Sequence, residues 1–151
     1  MVMSAVAMPE FADTFTIRDA KRALTEGKVV VFACGLGQPF FSTDTAAAVR
    51  AAEIDADAML MAKNIDYIYT DDPRKNPDAK LISRVEKVTD EMIENAGGAG
   101  TERGTGGMQA KLIAAQMLGN EGIPMMIVCG TDPEILYEVL DGTAKGTYFA
   151  C

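Results

Sequence analysis

The residues best suited to chemistry lie in two glycine-containing segments, each placed just before a predicted helix. The first runs from Gly35 to Asp44 with the sequence GLGQPFFSTD. Its glycines allow close backbone approach to a ligand, its hydroxyl groups can bind an anion, and the positive end of the next helix favours negative charge. A purely structural role is also open, in which Thr43 or Asp44 caps the helix and Phe40 and Phe41 enter the core.

The second segment is GTGGMQAK, from Gly104 to Lys111. Glycines leading into a helix, with a lysine one turn in, are the general plan of a phosphate cradle. It is not a Walker A motif, because G-x-x-x-x-G-K-[ST] is absent. The structural alternative is a surface loop followed by a solvated lysine. We expect Lys111 to matter more to chemistry than to folding, so that Lys111→Ala leaves stability within about 0.5 kcal/mol.

Together the two segments suit phosphoryl transfer, which needs in-line positioning and cations around a charged transition state. One loop would present the acceptor and the other the donor phosphate, with Lys111 between them and Mg²⁺ on the donor oxygens. Asp44 would orient cationic side chains and not act as a base. The chain has no histidine, so a histidine base and a histidine-ligated metal are excluded.

Composition narrows the possible partners. The 151 residues carry a formal charge of −8, which disfavours non-specific binding to nucleic acid. No apolar stretch approaches the roughly 20 residues of a membrane span, so we expect neither nucleic acid nor membrane as a partner. Three cysteines without a C-x-x-C pair suggest neither a disulfide framework nor a zinc site.

The chemistry-bearing segments are separated by alternating strand and helix patterns. Thr16 is a predicted N-cap for a helix that ends at Gly27, and the β-branched run Val29 to Cys34 predicts a strand buried on both faces. Tyr69 to Pro77 is polar and predicts a surface excursion. The remaining predicted elements are a helix from Asp44 to about Ala56, a strand from Ala58 to Ala62, a helix after Thr89, a helix from Met108 to Asn120, a strand from Pro124 to Val128, a helix capped by Asp132 and a last strand from Gly146 to Cys151. This order predicts one α/β domain with a mostly parallel sheet covered on both faces.

The first segment resembles the G-T-G-N-P-F-F-[ST]-T-D-[ST]-A-A motif of bacterial UMP kinases, which belong to the amino-acid-kinase family. The similarity continues at Arg50, Glu53-Ile54, Ala56-Asp57, Asp66, Tyr69 and the stretch Asp72 to Lys80, and it includes Met3-Ser4-Ala5 upstream. The resemblance implies a three-layer α/β/α fold, here its C-terminal half, and transfer of the γ-phosphoryl group of ATP to UMP. It also implies a cytoplasmic, Mg²⁺-dependent homo-oligomer, hexameric in the family.

The resemblance assigns roles to individual positions. It places Asp44 at the organising centre. The segment GTGGMQAK is more similar to glutamate 5-kinases and acetylglutamate kinases, and that second resemblance gives Lys111 the task of neutralising charge on the transferred phosphoryl group. The segment implied to line the UMP site is Leu36, Gly37, Gln38, Pro39, Phe40, Phe41, Ser42 and Thr43. The positions implied to contact ATP are Lys63, Asn64, Tyr69, Asp72, Gly106, Gly107 and Met108.

The sequence departs from the motif in several places. Leu36 and Gln38 stand where Thr and Asn are usual, and Tyr67 replaces a common Gly. From about Gly100 onward the similarity shifts towards glutamate 5-kinases and acetylglutamate kinases. An acyl-phosphate-forming kinase therefore stays open as an alternative, although the segment Gln38 to Phe41 favours a planar base.

One further departure concerns the extent of the match. Nothing before Gly27 resembles the K-x-[ST]-G turn or the Gly-Gly-rich loop of the family's N-terminal half. We therefore expect a half-length domain over residues 1–151, with the N-terminal half absent or supplied by a separate chain. A non-catalytic nucleotide-binding or oligomerising half-domain is the third hypothesis.

Overall fold

The computed structural model describes residues 1–65, 67–71, 76–96 and 107–151. Its elements, in chain order, are β1 (Val2–Ser4), β2 (Asp13–Thr14), α1 (Ile17–Thr25), β3 (Val31–Ala33), α2 (Thr43–Glu53), β4 (Met59–Lys63), β5 (Ile68–Tyr69), β6 (Leu81–Ile82), β7 (Arg84–Val85), α3 (Asp90–Ala96), α4 (Met108–Asn120), β8 (Met125–Cys129), α5 (Ile135–Leu140) and β9 (Gly146–Phe149). The α/β class is confirmed.

The strands form parallel-dominated sheets, not one continuous sheet. A three-stranded sheet has the order β2-β1-β3 with parallel pairs, and a four-stranded sheet has the order β4-β8-β9-β7. Within the second sheet β4 pairs parallel with β8 and β7 pairs parallel with β9, whereas β8 and β9 are antiparallel. Strands β5 and β6 form a separate antiparallel hairpin.

The main core lies on one face of the four-stranded sheet. Because side chains alternate along a strand, Met59, Met125 and Ile127 point to the same side, where they are buried with residues of α2 and α4. The intervening Leu60 and Met126 point to the opposite side. There they line an apolar groove of about 640 Å³ together with residues of α5. Helices thus flank both sides of this sheet.

Helix α1 begins as the sequence predicts. The Thr16 side chain accepts a hydrogen bond from the Asp19 N–H at 3.1 Å, which satisfies one of the unpaired donors of the first turn. The Thr16 hydroxyl also donates to the Asp19 carboxylate, and this bond lowers the pKa of Asp19 below its ordinary value. Ala20 and Ala23 of α1 pack with Met3 of β1 in a small second core.

Two predictions about the elements are wrong. The run from Val29 forms only the short strand β3, and it is not buried on both faces, since Val29 is 81% and Val31 53% exposed. Strand β3 lies at the edge of its sheet, and in the described residues one of its faces is covered, where Val30 and Phe32 pack against the small core around Met3. Helix α5 begins at Ile135 and not just after Asp132, because the Asp132 carboxylate accepts from Glu134 N–H at 3.0 Å and forms a turn instead.

No helix within the described parts of the chain is long and apolar enough to cross a membrane.

Candidate active site

Asp44 is placed by the first turn of α2. Helix α2 begins after Ser42, whose hydroxyl accepts from Thr45 N–H at 3.0 Å, so the N-cap is Ser42 and not Thr43 or Asp44. The Asp44 residue is 2% exposed. A carboxylate this deeply buried requires cationic or hydrogen-bonding partners, because its desolvation is costly.

Lys63 supplies the first partner. It is the last residue of β4, opposite Cys129 of β8, and its side chain is 28% exposed. Its Nζ lies 2.6 Å from Asp44 Oδ1. This is an ion pair without the alignment of a hydrogen bond, and Oδ1 has no aligned donor among the described residues. Lys63 therefore contributes mainly charge to the carboxylate.

Lys111 supplies the second partner from α4. Its Nζ donates to Asp44 Oδ2 at 3.1 Å, and the residue is buried at 9% exposure. The interpretation of Lys111 as a solvated surface lysine is therefore wrong. Its place in the helix explains the burial, because α2 and α4 pack against each other. That packing directs the first turn of α4 towards Asp44.

Two ammonium groups share one carboxylate in this Lys63-Asp44-Lys111 cluster, so these three side chains together carry a formal charge of about +1. Both carboxylate oxygens are in contact with cations, and the role of Asp44 in orienting the lysines stays a prediction. An anion such as a phosphate group is the complementary ligand.

The two helix N-termini near this cluster differ. Helix α2 has its Ser42 cap and carries Asp44 in its first turn. Helix α4 begins at Gly107, which has no side chain to cap it, and it has no acidic residue in its first turn. The N-terminus of α4 is therefore better suited to an anion. Helix α2 presents fewer unpaired N–H groups to a ligand than we expect from the sequence, because the Thr45 N–H already donates to the Ser42 hydroxyl.

The loop from Gly35 to Phe41 leads from β3 to α2 and is largely exposed. Phe40 is 95% and Phe41 56% exposed, so neither aromatic ring enters the core. Gly37 has a φ of +70°, and a Cβ added there would lie 3.0 Å from the Ala5 carbonyl oxygen. The loop backbone thus rests against the end of β1. Leu36 is partly buried, whereas Gln38, Pro39 and Thr43 are exposed.

Sequence reasoning assigned no role to Arg50, which holds the start of this loop. Its guanidinium donates to the Gly35 carbonyl at 3.0 Å, pairs with Glu53 and lies 3.9 Å from the centre of the Phe15 ring. Arg50 is 9% exposed. A lone arginine on an alanine-rich helix was the available signal.

The predicted ATP positions are only partly brought together. Lys63 joins the Asp44 cluster, while Asn64 follows it as an exposed residue and Tyr69 lies on β5, partly exposed. Gly107 caps α4, and Met108 packs against the main core. Asp72 and Gly106 lie outside the described residues, as do Gly104 and Thr105.

The described residues do not form a protein-held metal site. They contain no group of three carboxylate, cysteine or histidine side chains that could hold an ion. Asp44, the buried carboxylate of the candidate site, is already in contact with two lysines. The donor set therefore does not fit a Mg²⁺ ion bound by this part of the chain alone.

Fold and site together define an α/β domain with a cationic centre beside the carboxyl end of strand β4 and the N-termini of two helices. The chain belongs to the amino acid kinase family, whose profile matches residues 5–129.

Two kinds of relative within the family are similar to this chain. The chain is 40% identical over 147 residues to a uridylate kinase of Brucella anthropi, an alignment covering 97% of this chain and 56% of that protein. It is 45% identical over 106 residues to a glutamate 5-kinase of Clostridium tetani, covering 70% of this chain and 40% of the relative. Both similarities agree with the two resemblances seen in the motifs.

Two solved structures of UMP kinases have a fold similar to that of this chain. The UMP kinase of Bacillus anthracis superposes with a TM-score of 0.77 at 26% identity, over 99% of this chain and 57% of that one. The UMP kinase of Ureaplasma parvum gives the same TM-score and covers 59% of its length. The chain thus spans a little over half the length of these UMP kinases.

Proposed function

We propose that this chain is the nucleotide-handling part of a UMP kinase-type phosphotransferase, which transfers the γ-phosphoryl group of ATP to UMP and yields ADP and UDP. The observation that carries the proposal is the buried Asp44 carboxylate holding the ammonium groups of Lys63 and Lys111. The cluster adjoins the loop that resembles the UMP-binding segment of the family.

The reaction needs no protein base. A phosphate monoester has its second pKa near 6, so the UMP phosphate is largely ionised at neutral pH. One of its oxygens attacks the γ-phosphorus, a new P–O bond forms, and the bond from that phosphorus to the β–γ bridging oxygen breaks. The electron pair of the broken bond leaves on ADP. No proton has to be removed from the acceptor, which agrees with an Asp44 already engaged by two cations.

The lysines would act on charge. In the transition state negative charge spreads over the oxygens around the γ-phosphorus, and positioned cations stabilise it. Asp44 holds both ammonium groups in place before the substrates arrive, so little reorganisation is needed during the reaction. Lys111 lies in the first turn of α4, whose N-cap Gly107 has no side chain, and the donor phosphates would bind beside it.

Mg²⁺ would arrive with the nucleotide. Magnesium is commonly held by substrate phosphates with few protein ligands. When bound to ATP it neutralises phosphate charge. We also propose a cytoplasmic location and assembly into a homo-oligomer, in line with the family resemblance, with ATP and UMP as ligands.

The acceptor loop favours UMP over an amino acid. Phe40 and Phe41 are exposed and available to a planar base, and Thr43 offers an exposed side chain at the start of α2. UMP brings a phosphate group of nearly two negative charges to the lysines, whereas glutamate has a net charge of about −1 and also brings an ammonium group, so the lysines attract UMP more strongly.

Isothermal titration tests the proposal. The chain is titrated with UMP and with glutamate, each in the presence of Mg²⁺ and a non-hydrolysable ATP analogue. We expect UMP to bind, with a Kd as weak as about 1 mM, or about 4 kcal/mol, and glutamate to bind more weakly. Thr43→Val should weaken UMP about tenfold, since a hydrogen bond to a charged group is lost. Thr25→Val, at an exposed threonine on α1, is the matched control.

The glutamate 5-kinase-type function is the second candidate because of the 45% identity over 106 residues. Tighter binding of glutamate than of UMP would select it and reject the UMP proposal. Binding of ATP analogue alone, without either acceptor, would favour the non-catalytic nucleotide-binding domain. Gel filtration of the same sample gives the oligomeric state.

A further inference from the structure

A buried hydroxyl group joins both strands of the antiparallel hairpin formed by β5 and β6 to the main sheet. Thr147 of β9 is 0% exposed. Its Oγ1 accepts a hydrogen bond from Ile68 N–H at 2.8 Å and donates one to the Ile82 carbonyl at 2.6 Å. Ile68 and Ile82 lie opposite each other in the hairpin ladder, so one hydroxyl bridges both of its strands.

The neighbour of Thr147 fixes where this hydroxyl lies. A Cβ added at Gly146 would lie 2.2 Å from the Ile127 carbonyl oxygen, so glycine is required for β9 to run this close to β8. Thr147 then pairs with Ile127 in the sheet register. Gly146 therefore allows β9 to run close to β8, and Thr147 then holds the hairpin through its two hydrogen bonds.

The hairpin is attached at two points of different chemistry. The Ile68 side chain is buried in the main core at 4% exposure, which anchors β5 by apolar contact. The Thr147 hydroxyl holds the backbone of both strands by hydrogen bonds. Apolar contact is non-directional, whereas a hydrogen bond is directional. The hydroxyl therefore sets the orientation of the hairpin on the sheet.

The hairpin follows a lysine of the cationic cluster closely in sequence. Strand β5 starts five residues after Lys63, the lysine that pairs with Asp44. It carries Tyr69, and Thr70 closes the next pair of the ladder by donating its N–H to the Lys80 carbonyl at 2.9 Å. A change in the seating of β5 would therefore move Tyr69 relative to the lysine end of β4.

We propose that Thr147 is a positioning residue for the donor nucleotide, acting through the hairpin that carries Tyr69. The inference rests on the proposed function and on the resemblance, which implies that Tyr69 of this hairpin contacts ATP. Thr147 itself touches no substrate. It sets the angle at which the hairpin presents its side chains, and its loss should affect the donor and spare the acceptor.

A matched pair of variants separates the hydroxyl from the shape of the side chain. Thr147→Val keeps the volume and leaves Ile68 N–H and Ile82 C=O without their partner, whereas Thr147→Ser keeps the hydroxyl. Affinities for a non-hydrolysable ATP analogue with Mg²⁺, and for UMP, are measured by titration. We expect Thr147→Val to weaken the ATP analogue about tenfold or more, with UMP affinity changed less than about twofold, and Thr147→Ser to keep near-wild-type values.

Amide hydrogen exchange supplies a readout that a general loss of stability would not produce. In Thr147→Val the Ile68 and Thr70 amides should exchange about tenfold faster, while the β1 amides stay unchanged. In the wild-type chain, saturation with the ATP analogue should slow exchange in the hairpin more than in β1. This wild-type experiment still tests the role of the hairpin in binding ATP if the Thr147→Val variant fails to fold.

The possible results distinguish a failure of the proposed function from a failure of the role proposed for Thr147. A wild-type chain that binds no ATP analogue overturns both and identifies the proposed function as the point of failure. A wild-type chain that binds it, with equal affinity in Thr147→Val or an equal loss in Thr147→Ser, overturns only the role of Thr147. Unchanged hairpin exchange on saturation of the wild type also overturns that role.

Discussion

The Asp44 carboxylate accepts a hydrogen bond from the Lys111 ammonium group at 3.1 Å, across 67 positions of sequence. Lys63 approaches the other carboxylate oxygen at 2.6 Å. The three side chains come from α2, β4 and α4. The contact therefore joins the folding of the site to the packing of the main core, and its disruption has a cost in stability as well as in function.

Lys111→Met should destabilise the chain by about 1–3 kcal/mol, because it removes one of two cations from a buried carboxylate. This replaces the expectation of about 0.5 kcal/mol, which took Lys111 to be solvated. Urea unfolding measures the difference. Lys145→Met, at an exposed lysine, is the control and should stay within about 0.5 kcal/mol. Equal stability of both variants would show that the Asp44 contact contributes nothing.

A double-mutant cycle tests the same contact from the other side. Asp44→Asn should cost about 3–5 kcal/mol, since it leaves two ammonium groups facing each other without a counter-charge. Adding Lys111→Met to Asp44→Asn should then recover part of the loss, because one of the repelling charges is gone. Strictly additive losses in the cycle would contradict the shared-carboxylate geometry.

Gly37→Ala should cost more than Gly27→Ala. Both glycines have positive φ, +70° and +76°, so each alanine pays about 1–2 kcal/mol for the left-handed conformation. A Cβ at Gly37 would also lie 3.0 Å from the Ala5 carbonyl oxygen, whereas one at Gly27 meets nothing within 4 Å. We expect a further cost of about 1 kcal/mol at Gly37, measured by urea unfolding. A smaller loss at Gly37 than at Gly27 would show that the loop moves away from β1 easily.

Most helices and strands could be predicted because their signals, such as glycines at helix ends and runs of apolar residues, lie within the element or next to it. Helix α4 runs from Met108 to Asn120, the predicted bounds, since Gly107 precedes the helical sequence and Gly122 follows it. The burial of β3 was not predictable in the same way. A β-branched run shows that a strand can be covered on both faces, but which surface covers Val29 and Val31 depends on elements far along the chain.

The candidate site could also be predicted only in part from the sequence. Asp44 and Lys111 lie at the ends of two recognisable glycine-containing segments, in the first turns of α2 and α4, and their side chains are in contact. The pairing of Lys63 with Asp44 depends on how far β4 extends along β8, which periodicity does not give. Thr147 acts through one hydroxyl on the Ile68 and Ile82 backbone, and such a contact leaves no pattern in a single sequence.

Arg50→Lys should loosen the acceptor loop although the charge is kept. Lysine cannot reproduce the planar contact over Phe15 together with the bond to the Gly35 carbonyl. We expect a loss of about 1–2 kcal/mol, faster amide exchange at residues 35–41, and weaker UMP binding. Arg18→Lys, at a side chain that is 85% exposed, is the control. Unchanged exchange in the loop would show that Arg50 does not hold it.

Stability at acid pH should depend on the Thr16–Asp19 bond. This bond lowers the pKa of Asp19 in the folded chain below the ordinary value for an aspartate. A lowered folded pKa contributes stability above the unfolded value, and the contribution is lost as pH falls through the folded pKa. Thr16→Val should raise the Asp19 pKa in an NMR titration and reduce the loss of stability below about pH 4. An unchanged Asp19 pKa, matching the Thr25→Val control, would contradict this assignment.

The 151-residue chain by itself should turn UMP over slowly. It spans 56% of the Brucella anthropi uridylate kinase, and the resemblance implies that a further phosphate lysine comes from a part of the family's length that this chain does not match. Loss of one transition-state cation costs about 10³-fold in rate, against a typical enzyme turnover of about 10 s⁻¹. We therefore expect about 10⁻² s⁻¹ or less, measured as UDP formed from ATP and UMP. Asp44→Asn purified in the same way gives the background from contaminating host kinase, and the wild-type rate should lie within a few-fold of it. A wild-type turnover near 10 s⁻¹ that Asp44→Asn abolishes would show that Lys63 and Lys111 suffice for the transfer.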